Sequence, residues 1–329
     1  MDKLRNLLES NIVRIENEMS KPNIFIPYIE SDSGTSYGSG FFISDNYILT
    51  NYHVINNSKK LYIYIPIYGK NPFEGEIMCY NIDNDYAIIK VNNYKNKSKL
   101  FKVGNSDTLK YGNSIYVAGF PLGSINTNLK LVNGTVTGWE RNRIQHNSQT
   151  NPGMSGGVIL DKNFNIVGIH YMAMVGKNQT NTSFAIPINI IKIKHRLNML
   201  KAKKEKNITI KNVHLGFETQ KTHSIIIDNI IKNKKLIKDN IGVLVTEIYD
   251  NFITEMKDGD ILYKVDDFVI DNYKEIYNKF NTMNKLEYQY LTHFKDINEK
   301  YSITFYSVKH NKLITEKHIF RSKDELKKK

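Results

Sequence analysis

The residues best suited to chemistry surround one serine. The segment Asn151–Gly157 reads Asn-Pro-Gly-Met-Ser-Gly-Gly and runs into the apolar stretch Val158–Leu160. Glycines permit backbone conformations that a Cβ forbids, and they let nearby N–H groups point toward one site. Such a site suits an oxyanion hole, in which the N–H groups of Gly153 and Ser155 hold a negative oxygen while Ser155 Oγ attacks the carbonyl carbon. The alternative reading of this segment is a structural turn.

A serine hydroxyl is a weak nucleophile until a neighbouring base takes its proton. His53 is the candidate base, because it follows the strand-like segment Tyr47–Thr50 in a turn. The base needs a carboxylate that fixes its tautomer, and Asp85 fits at the start of an apolar strand, with Asp83 as the fallback. Taken singly, the histidine suits a structural role and the aspartate a turn. Together they give the order His, Asp, Ser of chymotrypsin-type enzymes.

Three segments carry a family resemblance. Gly38–Ile55, Asn84–Val91 and Asn151–Gly157 resemble the histidine, aspartate and serine segments of HtrA/Deg-type trypsin-like serine proteases, and Val103–Gly112 and Ser183–Ile188 resemble two further segments. The resemblance implies two six-stranded β-barrels, with the site in the crevice between them, and a serine endopeptidase that works through an acyl-enzyme. The alternative is a catalytically silent peptide-binding or chaperone module that kept the fold.

The strand Val167–Met172 and the loop before Ser155 should form the pocket for the substrate side chain. His170 on this strand and Thr150, five residues before the serine, resemble a pair found in staphylococcal-type glutamyl endopeptidases and picornaviral cysteine proteases. That resemblance implies hydrogen bonds to the terminal oxygen of Gln or Glu at the cleavage site. The HtrA resemblance implies small aliphatic side chains instead. Met172 is expected to narrow the pocket.

The pattern of elements predicts a mainly β chain with two domains. Short strands separated by turn residues fill residues 1–200, the expected protease domain, and a mixed α+β pattern fills residues 201–329. The strands of the first part are expected at Asn11–Glu16, Gly40–Ser44, Tyr47–Thr50, Leu61–Pro66, Tyr86–Val91, Ser114–Gly119, Lys130–Gly138, Gly157–Leu160, Asn165–Tyr171 and Thr182–Ile186, with a helix at Ile188–Lys203. The second part is expected to have strands at Ile225–Ile227, Gly242–Ile248, Asp260–Val265 and Tyr301–Ser307, and helices at Ile230–Lys235 and Tyr273–Asn281.

The second domain resembles PDZ domains. The segment His214–Phe217 is similar to their carboxylate-binding loop, and Gly242–Ile248 and Lys257–Asp266 are similar to two strands joined by a Gly-Asp turn. The resemblance implies N–H donors in Leu215, Gly216 and Phe217 that hold the C-terminus of a peptide ligand, beside a helix at Ile270–Phe280. The alternative is a degenerate domain that binds no peptide.

Composition narrows the remaining classes. The chain has 329 residues, 40% of them hydrophobic, so it can bury sizeable cores. The single cysteine, Cys79, excludes an intrachain disulfide, and no spacing of histidine or cysteine suggests a metal; we expect no cofactor. Lys and Arg exceed Asp and Glu by seven in residues 1–196 and by six in 197–329, so the net charge of +13 forms no basic arm. We therefore expect protein or peptide substrates and no specific nucleic acid.

The start of the chain lacks the apolar core of a secretory signal, and no stretch approaches the about 18 apolar residues of a membrane span. These features predict a cytoplasmic protein without a membrane partner, or one in a virion or host cytoplasm if the source is viral. The HtrA resemblance also makes a homo-oligomer possible.

Overall fold

The chain forms two compact units in the computed structural model, Met1–Ile210 and Lys211–Lys329. The structure describes residues 2–21, 32–121, 128–174, 182–203, 205–223, 226–227, 230–231, 241–277 and 285–326. Among these, no helix combines the length and apolar character needed to cross a membrane.

The first unit begins with a helix, which leads into a closed barrel. Its six strands close in the order β1-β2-β3-β6-β5-β4, because β5 pairs with both β4 and β6. A short helix after β3 carries His53. The elements are α1 (Asp2–Asn11), β1 (Ile12–Lys21), β2 (Asp32–Phe42), β3 (Tyr47–Thr50), α2 (Tyr52–Ile55), β4 (Ser58–Tyr64), β5 (Phe73–Asn81) and β6 (Tyr86–Val91).

A second barrel closes in the order β10-β11-β12-β9-β8-β7. After it the chain forms two helices and then returns to the first barrel, where β13 pairs in parallel with β5. The elements are β7 (Ser114–Gly119), β8 (Lys130–Glu140), β9 (Arg143–His146), β10 (Val158–Asp161), β11 (Ile166–Met174), β12 (Thr182–Pro187), α3 (Ile188–Ile191), α4 (Ile193–Lys203) and β13 (Ile208–Thr209).

The apolar residues of alternate strand positions fill both barrels, as closed antiparallel sheets require. Val13, Ile15 and Ile63 lie in the core of the first barrel, and Ile144 and Ile159 lie in that of the second. The prediction of a mainly β fold with two six-stranded barrels is therefore confirmed.

The second unit is built on one sheet with the order β15-β16-β17-β21-β22, so β15 and β22 are its edges. Apolar side chains of β15, β16 and β21 form its core, among them Phe217, Val243 and Phe305. The strands are β14 (Val213–His214), β15 (Phe217–Gln220), β16 (Val243–Ile248), β17 (Ile261–Val265), β18 (Phe268–Val269), β19 (Glu275–Tyr277), β20 (Lys285–Glu287), β21 (Lys300–Ser307), β22 (Lys312–Ile319) and β23 (Arg321–Ser322).

Several sequence predictions for local structure were wrong. In place of the helix at Tyr273–Asn281, and of the groove helix at Ile270–Phe280, residues 275–277 form β19, which pairs with β20. Ile276 and its tyrosine neighbour are compatible with a strand as well as with a helix. The pairing of β19 with β20 stabilises the strand. Residues 226–227 are helical, so the strand at Ile225–Ile227 was also wrong. The helix at Ile230–Lys235 lies mostly outside the described residues.

Other differences concern boundaries. The helix at Ile188–Lys203 is interrupted at Lys192, which has a left-handed φ of 51°. Strands β5, β9 and β22 carry charged or polar residues at alternate positions and were not predicted. The division between the units lies after Ile210 rather than after residue 200, because β13 belongs to the sheet of the first barrel.

Candidate active site

The structure joins His53 and Asp85 by two hydrogen bonds. His53 Nδ1 lies 2.7 Å from Asp85 Oδ2, and the His53 backbone N–H donates to Asp85 Oδ1 at 2.8 Å. The Asp85 side chain is mostly buried, whereas that of His53 is 45% exposed. A carboxylate at Nδ1 favours the tautomer with the proton on that nitrogen, which leaves Nε2 free to accept a proton.

Asp85 is held by its backbone as well as by its side chain. It has a φ of 56°, in the left-handed region, and its carbonyl accepts a hydrogen bond from Asn51 Nδ2 at 3.0 Å. Aspartate tolerates this region better than most residues do. Asn51 directly precedes α2, so one side chain ties the aspartate turn to the turn that carries His53.

Ser155 follows a tight turn. The Met154 N–H donates to the Asn151 carbonyl at 3.1 Å, with Pro152 and Gly153 at the central positions and a Gly153 φ of 95°. Proline at the second position and a positive φ at the third are the features of a type II turn. Types I and II differ in the direction of the central peptide, which carries the Gly153 N–H. The glycine therefore fixes where that N–H points.

The two glycines after Ser155 are required by close packing. Gly156 has a φ of 83°, and a Cβ there would lie 2.1 Å from the Ser39 carbonyl oxygen and 2.3 Å from Thr50 Oγ1. A Cβ at Gly157 would lie 2.4 Å from the Ala118 carbonyl oxygen. The backbone around Ser155 therefore packs closely against strands of both barrels.

Ser39 of the first barrel holds the same turn in place by hydrogen bonds. Its N–H donates to the Ser155 carbonyl and its hydroxyl donates to the Gly153 carbonyl, both at 2.8 Å. Its own carbonyl accepts from Thr50 Oγ1 at 2.7 Å. Ser39 is fully buried, so these hydrogen bonds act in a low dielectric. The serine turn and the strand that leads to His53 thus share one anchor.

The Ser155 hydroxyl itself donates to the Tyr171 carbonyl at 3.1 Å, and the structure shows no hydrogen bond between it and His53. The Tyr171 ring meets the His53 ring edge-on, with 6.0 Å between centroids. Proton transfer to His53 therefore requires the hydroxyl to leave Tyr171. Catalytic hydrogen bonds of free enzymes are often looser than those of the substrate complex.

Arg143 also contacts Tyr171. Its guanidinium carbon is 4.8 Å from the Tyr171 ring centroid, and Nη1 donates to the Asn84 carbonyl at 3.1 Å. Burial lowers the pKa of Arg143, while Tyr171 and Asp85 act in the opposite direction. Arg143 remains a cation at neutral pH and contributes positive charge near Asp85.

The three residues expected to form the substrate pocket differ in their burial and in their contacts. His170 is buried directly behind the serine turn, where its backbone pairs with Gly156 and Gly157. Thr150 is partly buried, and its hydroxyl lies 3.0 Å from Ser183 Oγ. Met172 is 40% exposed, beyond a register shift in β11 that follows His170.

In the second unit, the predicted carboxylate-binding loop makes internal hydrogen bonds. The Gly216 N–H donates to His214 Nδ1 at 3.0 Å, and Tyr301 donates its hydroxyl to the Leu215 carbonyl at 2.6 Å. Phe217 begins the edge strand β15. A cavity of about 290 Å³ beside this loop is lined by His214, Leu215, Phe217, Glu218, Glu287, Gln289, Tyr290, Thr292 and His293.

Sequence reasoning missed Ser39, Tyr171, Arg143 and His146 as parts of the site or its surroundings. A serine between two glycines, Gly38-Ser39-Gly40, was a usable signal for a close backbone approach. Arg143 and His146 lie on β9, which was not predicted, so nothing in the sequence placed them near β11.

Comparisons with known proteins agree with this architecture. The trypsin-like peptidase domain family matches residues 38–169. Protease Do-like 1 of Arabidopsis thaliana chloroplasts is 27% identical over 196 residues, which are 55% of this chain and 43% of that protein. A serine protease HtrA-like of Staphylococcus epidermidis is 26% identical over 284 residues, 78% of this chain and 46% of the relative. The chain thus spans less than half the length of these relatives.

Solved structures share the fold. The HtrA-type protease AlgW with a decapeptide has a TM-score of 0.66 at 15% identity and covers 98% of this chain and 97% of that one. A serine endoprotease from Yersinia pestis has a TM-score of 0.61 at 15% identity, with coverage of 98% and 97%.

Proposed function

We propose that the chain is a serine peptidase of the HtrA/Deg type, as its match to the trypsin-like peptidase domain over residues 38–169 indicates, and that it hydrolyses peptide bonds through His53, Asp85 and Ser155. The observation that carries the proposal is the pair of hydrogen bonds between His53 and Asp85, together with a serine that directly follows a type II turn. The AlgW structure with a decapeptide supports peptides as the substrate class.

In the proposed reaction, Ser155 Oγ attacks the carbonyl carbon of the peptide bond while His53 Nε2 takes the hydroxyl proton. The N–H groups of Gly153 and Ser155 stabilise the oxyanion, and Asp85 stabilises the imidazolium. The C–N bond then breaks, and the amine leaves with the proton from His53. Water attacks the acyl-enzyme with His53 as base, which releases the acid and restores Ser155.

We propose that the substrate side chain next to the cleaved bond contacts Thr150 and His170, and that it is Gln or Glu rather than a small aliphatic residue. The support is that both residues flank the serine turn and carry polar groups. A polar pocket penalises an apolar side chain, because the buried polar groups would lose their partners.

The second unit is proposed to bind peptide by strand addition to β15, which is an edge strand beside a cavity. If a terminal carboxylate binds there, the Gly216 N–H must break its hydrogen bond to His214 Nδ1 and donate to a carboxylate oxygen instead. A catalytically silent peptide-binding protein is the second candidate function, and the hydrogen bond from Ser155 to Tyr171 favours it.

Cleavage of a peptide library separates the two candidates. We expect the wild-type chain to cut peptides and Ser155→Ala to lose at least about a thousandfold in kcat/KM. Adding His53→Ala to Ser155→Ala should cost little more, because the two residues act as a unit. Absence of cleavage by the wild-type chain, or retained cleavage by Ser155→Ala, would refute the peptidase.

A further inference from the structure

The residues of the proposed triad are divided between the two barrels of the first unit. His53 lies on α2 and Asp85 in the turn before β6, both in the first barrel, whereas Ser155 lies in the turn before β10 of the second. A displacement of about 1 Å between reacting groups can cost about a hundredfold in rate. Contacts that cross from one barrel to the other therefore decide whether the three residues can react together.

Arg143 makes such a contact at the aspartate turn. It lies on β9 of the second barrel, and its Nη1 donates at 3.1 Å to the carbonyl of Asn84, the residue before Asp85. Asn84 is 2% exposed, and a hydrogen bond from a charged donor to a buried carbonyl is among the stronger kinds. The bond thus fixes the backbone that carries the Asp85 carboxylate.

The same guanidinium contacts Tyr171 of β11, with 4.8 Å between its central carbon and the ring centroid. Tyr171 in turn reaches the other two residues of the proposed triad. Its ring meets the His53 ring edge-on, with 6.0 Å between centroids, and its carbonyl accepts from Ser155 Oγ at 3.1 Å. Through two neighbours, Arg143 is therefore connected to all three residues.

Arginine suits this position better than lysine does. A guanidinium is planar, so its edge can donate hydrogen bonds while its face packs on an aromatic ring. A lysine ammonium is also a cation, but it has no flat face and no fixed fork of donors. The charge persists at neutral pH, because Tyr171 and Asp85 oppose the effect of burial, which lowers the pKa of Arg143.

We propose that Arg143 is a positioning residue, which links the Asp85 turn of the first barrel to Tyr171 of the second and thereby fixes the His53–Asp85 pair relative to Ser155. It acts on the reaction through Asn84 and Tyr171, which it contacts directly. This inference rests on the proposed function and adds to it a residue outside the triad on which the rate depends.

Steady-state kinetics of the full chain, on a peptide that the wild-type chain cleaves, tests this role. Titration with a fluorophosphonate, which phosphonylates a reactive serine, gives the concentration of active sites, so unfolded molecules are not counted. Arg143→Met keeps the apolar stem and removes the guanidinium, and Arg143→Lys keeps only the charge. We expect both variants to lower kcat per active site at least about tenfold while KM changes less than about threefold, because the lost contacts orient the triad rather than the substrate.

Arg141→Met is the matched control, because Arg141 is exposed two residues earlier in the same β8–β9 hairpin. It should keep the wild-type kcat. Wild-type kcat per active site in either Arg143 variant overturns the inference, even if fewer molecules are active, because Arg143 would then serve stability or charge alone. An equal loss in Arg141→Met, or a change confined to KM, overturns it as well.

A spectroscopic signal separates positioning between the barrels from damage to the His53–Asp85 pair. A proton in a short histidine–carboxylate hydrogen bond, here 2.7 Å, gives a ¹H NMR resonance far downfield of the amide protons. This resonance should persist in Arg143→Met, because the bond lies within the first barrel, while phosphonylation of Ser155 slows at least about tenfold. Its loss in the variant alone would overturn the proposed role.

The fluorophosphonate also distinguishes this inference from the proposed function. If it leaves Ser155 unmodified in the folded wild-type chain, the proposed function fails as well. If it modifies the wild-type chain and the two Arg143 variants at the same rate, only the role of Arg143 fails.

Discussion

The aspartate is the residue whose role is tested most simply. Asp85→Asn keeps the shape of the side chain but can place an NH₂ group toward His53, which favours the wrong tautomer. We expect kcat to fall about a thousandfold to ten-thousandfold, as for triads in general. The measurement is steady-state kinetics on a cleaved peptide.

Asp83→Asn is the matched control, because Asp83 is exposed two residues away and was the alternative acid in the sequence. It should retain nearly full activity. A large loss in Asp83→Asn with a small one in Asp85→Asn would contradict the assignment.

The buried His146 and His170 make stability depend on pH. The folded pKa of His146 is about 4, below its unfolded value of about 6.5, so the unfolded chain binds its proton first as pH falls. The stabilisation is complete above pH 6.5 and is lost between about pH 6.5 and 4, by up to about 3 kcal/mol for this residue. His170 acts in the same direction.

Urea unfolding of the wild-type chain and His146→Leu at pH 7.5 and pH 5 measures this effect. The free energy of unfolding should fall less with pH in the variant. Equal pH dependence in both proteins would mean that His146 is not held neutral.

The sequence alone predicted some residues of the site and missed others. The order and the local motifs along the chain predicted that His53 and Asp85 meet, and the two side chains are hydrogen-bonded in the structure; that Ser155 joins them stays a prediction. The hydroxyl contact with Tyr171 and the anchor at Ser39 arise from packing between barrels, which no local pattern encodes.

At the scale of elements, the serine turn depends on glycines for two separable reasons. Gly156 needs both a positive φ and the absence of a Cβ, since Ser39 and Thr50 lie against it. We expect Gly156→Ala to abolish activity and to lower the free energy of unfolding by more than about 3 kcal/mol, because the added Cβ would clash with backbone and side-chain atoms that cannot move away.

Gly112→Ala is the control for backbone strain, because Gly112 has a φ of 76° with no atom within 4 Å of an added Cβ. It should cost only about 1 kcal/mol. Similar costs for the two variants, measured by chemical denaturation, would show that packing at Gly156 does not matter.

The type of element was predictable where apolar residues dominate a segment and not where charged residues interrupt it. Strand β6 is almost entirely apolar and was expected, whereas β22, Lys312–Ile319, carries three charged residues and was not. Residues 270–277 of the helix expected at Ile270–Phe280 form turns and strand β19 instead, so these residues do not provide a helix beside the proposed peptide site of the second unit.

At the scale of the whole molecule, the division after Ile210 predicts which fragments of the chain fold stably. The Asn207 N–H donates to the Ile77 carbonyl at 3.1 Å and the Ile210 N–H to the Tyr80 carbonyl at 2.7 Å, so residues 207–210 belong to the first barrel. A fragment of residues 1–210 should fold and keep peptidase activity. A fragment of residues 1–200 should be less stable.

Cys79 reports on this difference, because it pairs with Ile208 and burial raises the pKa of its thiol to about 12. A thiol that stays protonated at pH 8 reacts slowly with iodoacetamide. We expect faster alkylation in the 1–200 fragment than in the 1–210 fragment. Equal rates would argue against a role for β13.

The central claim is that His53, Asp85 and Ser155 jointly make one hydroxyl reactive. Treating the native chain with a fluorophosphonate and mapping the adduct by mass spectrometry tests it directly. We predict one adduct, on Ser155, that forms at least about a thousandfold more slowly in His53→Ala. An unmodified Ser155 in the folded wild-type chain, or modification that does not depend on His53, would contradict the account.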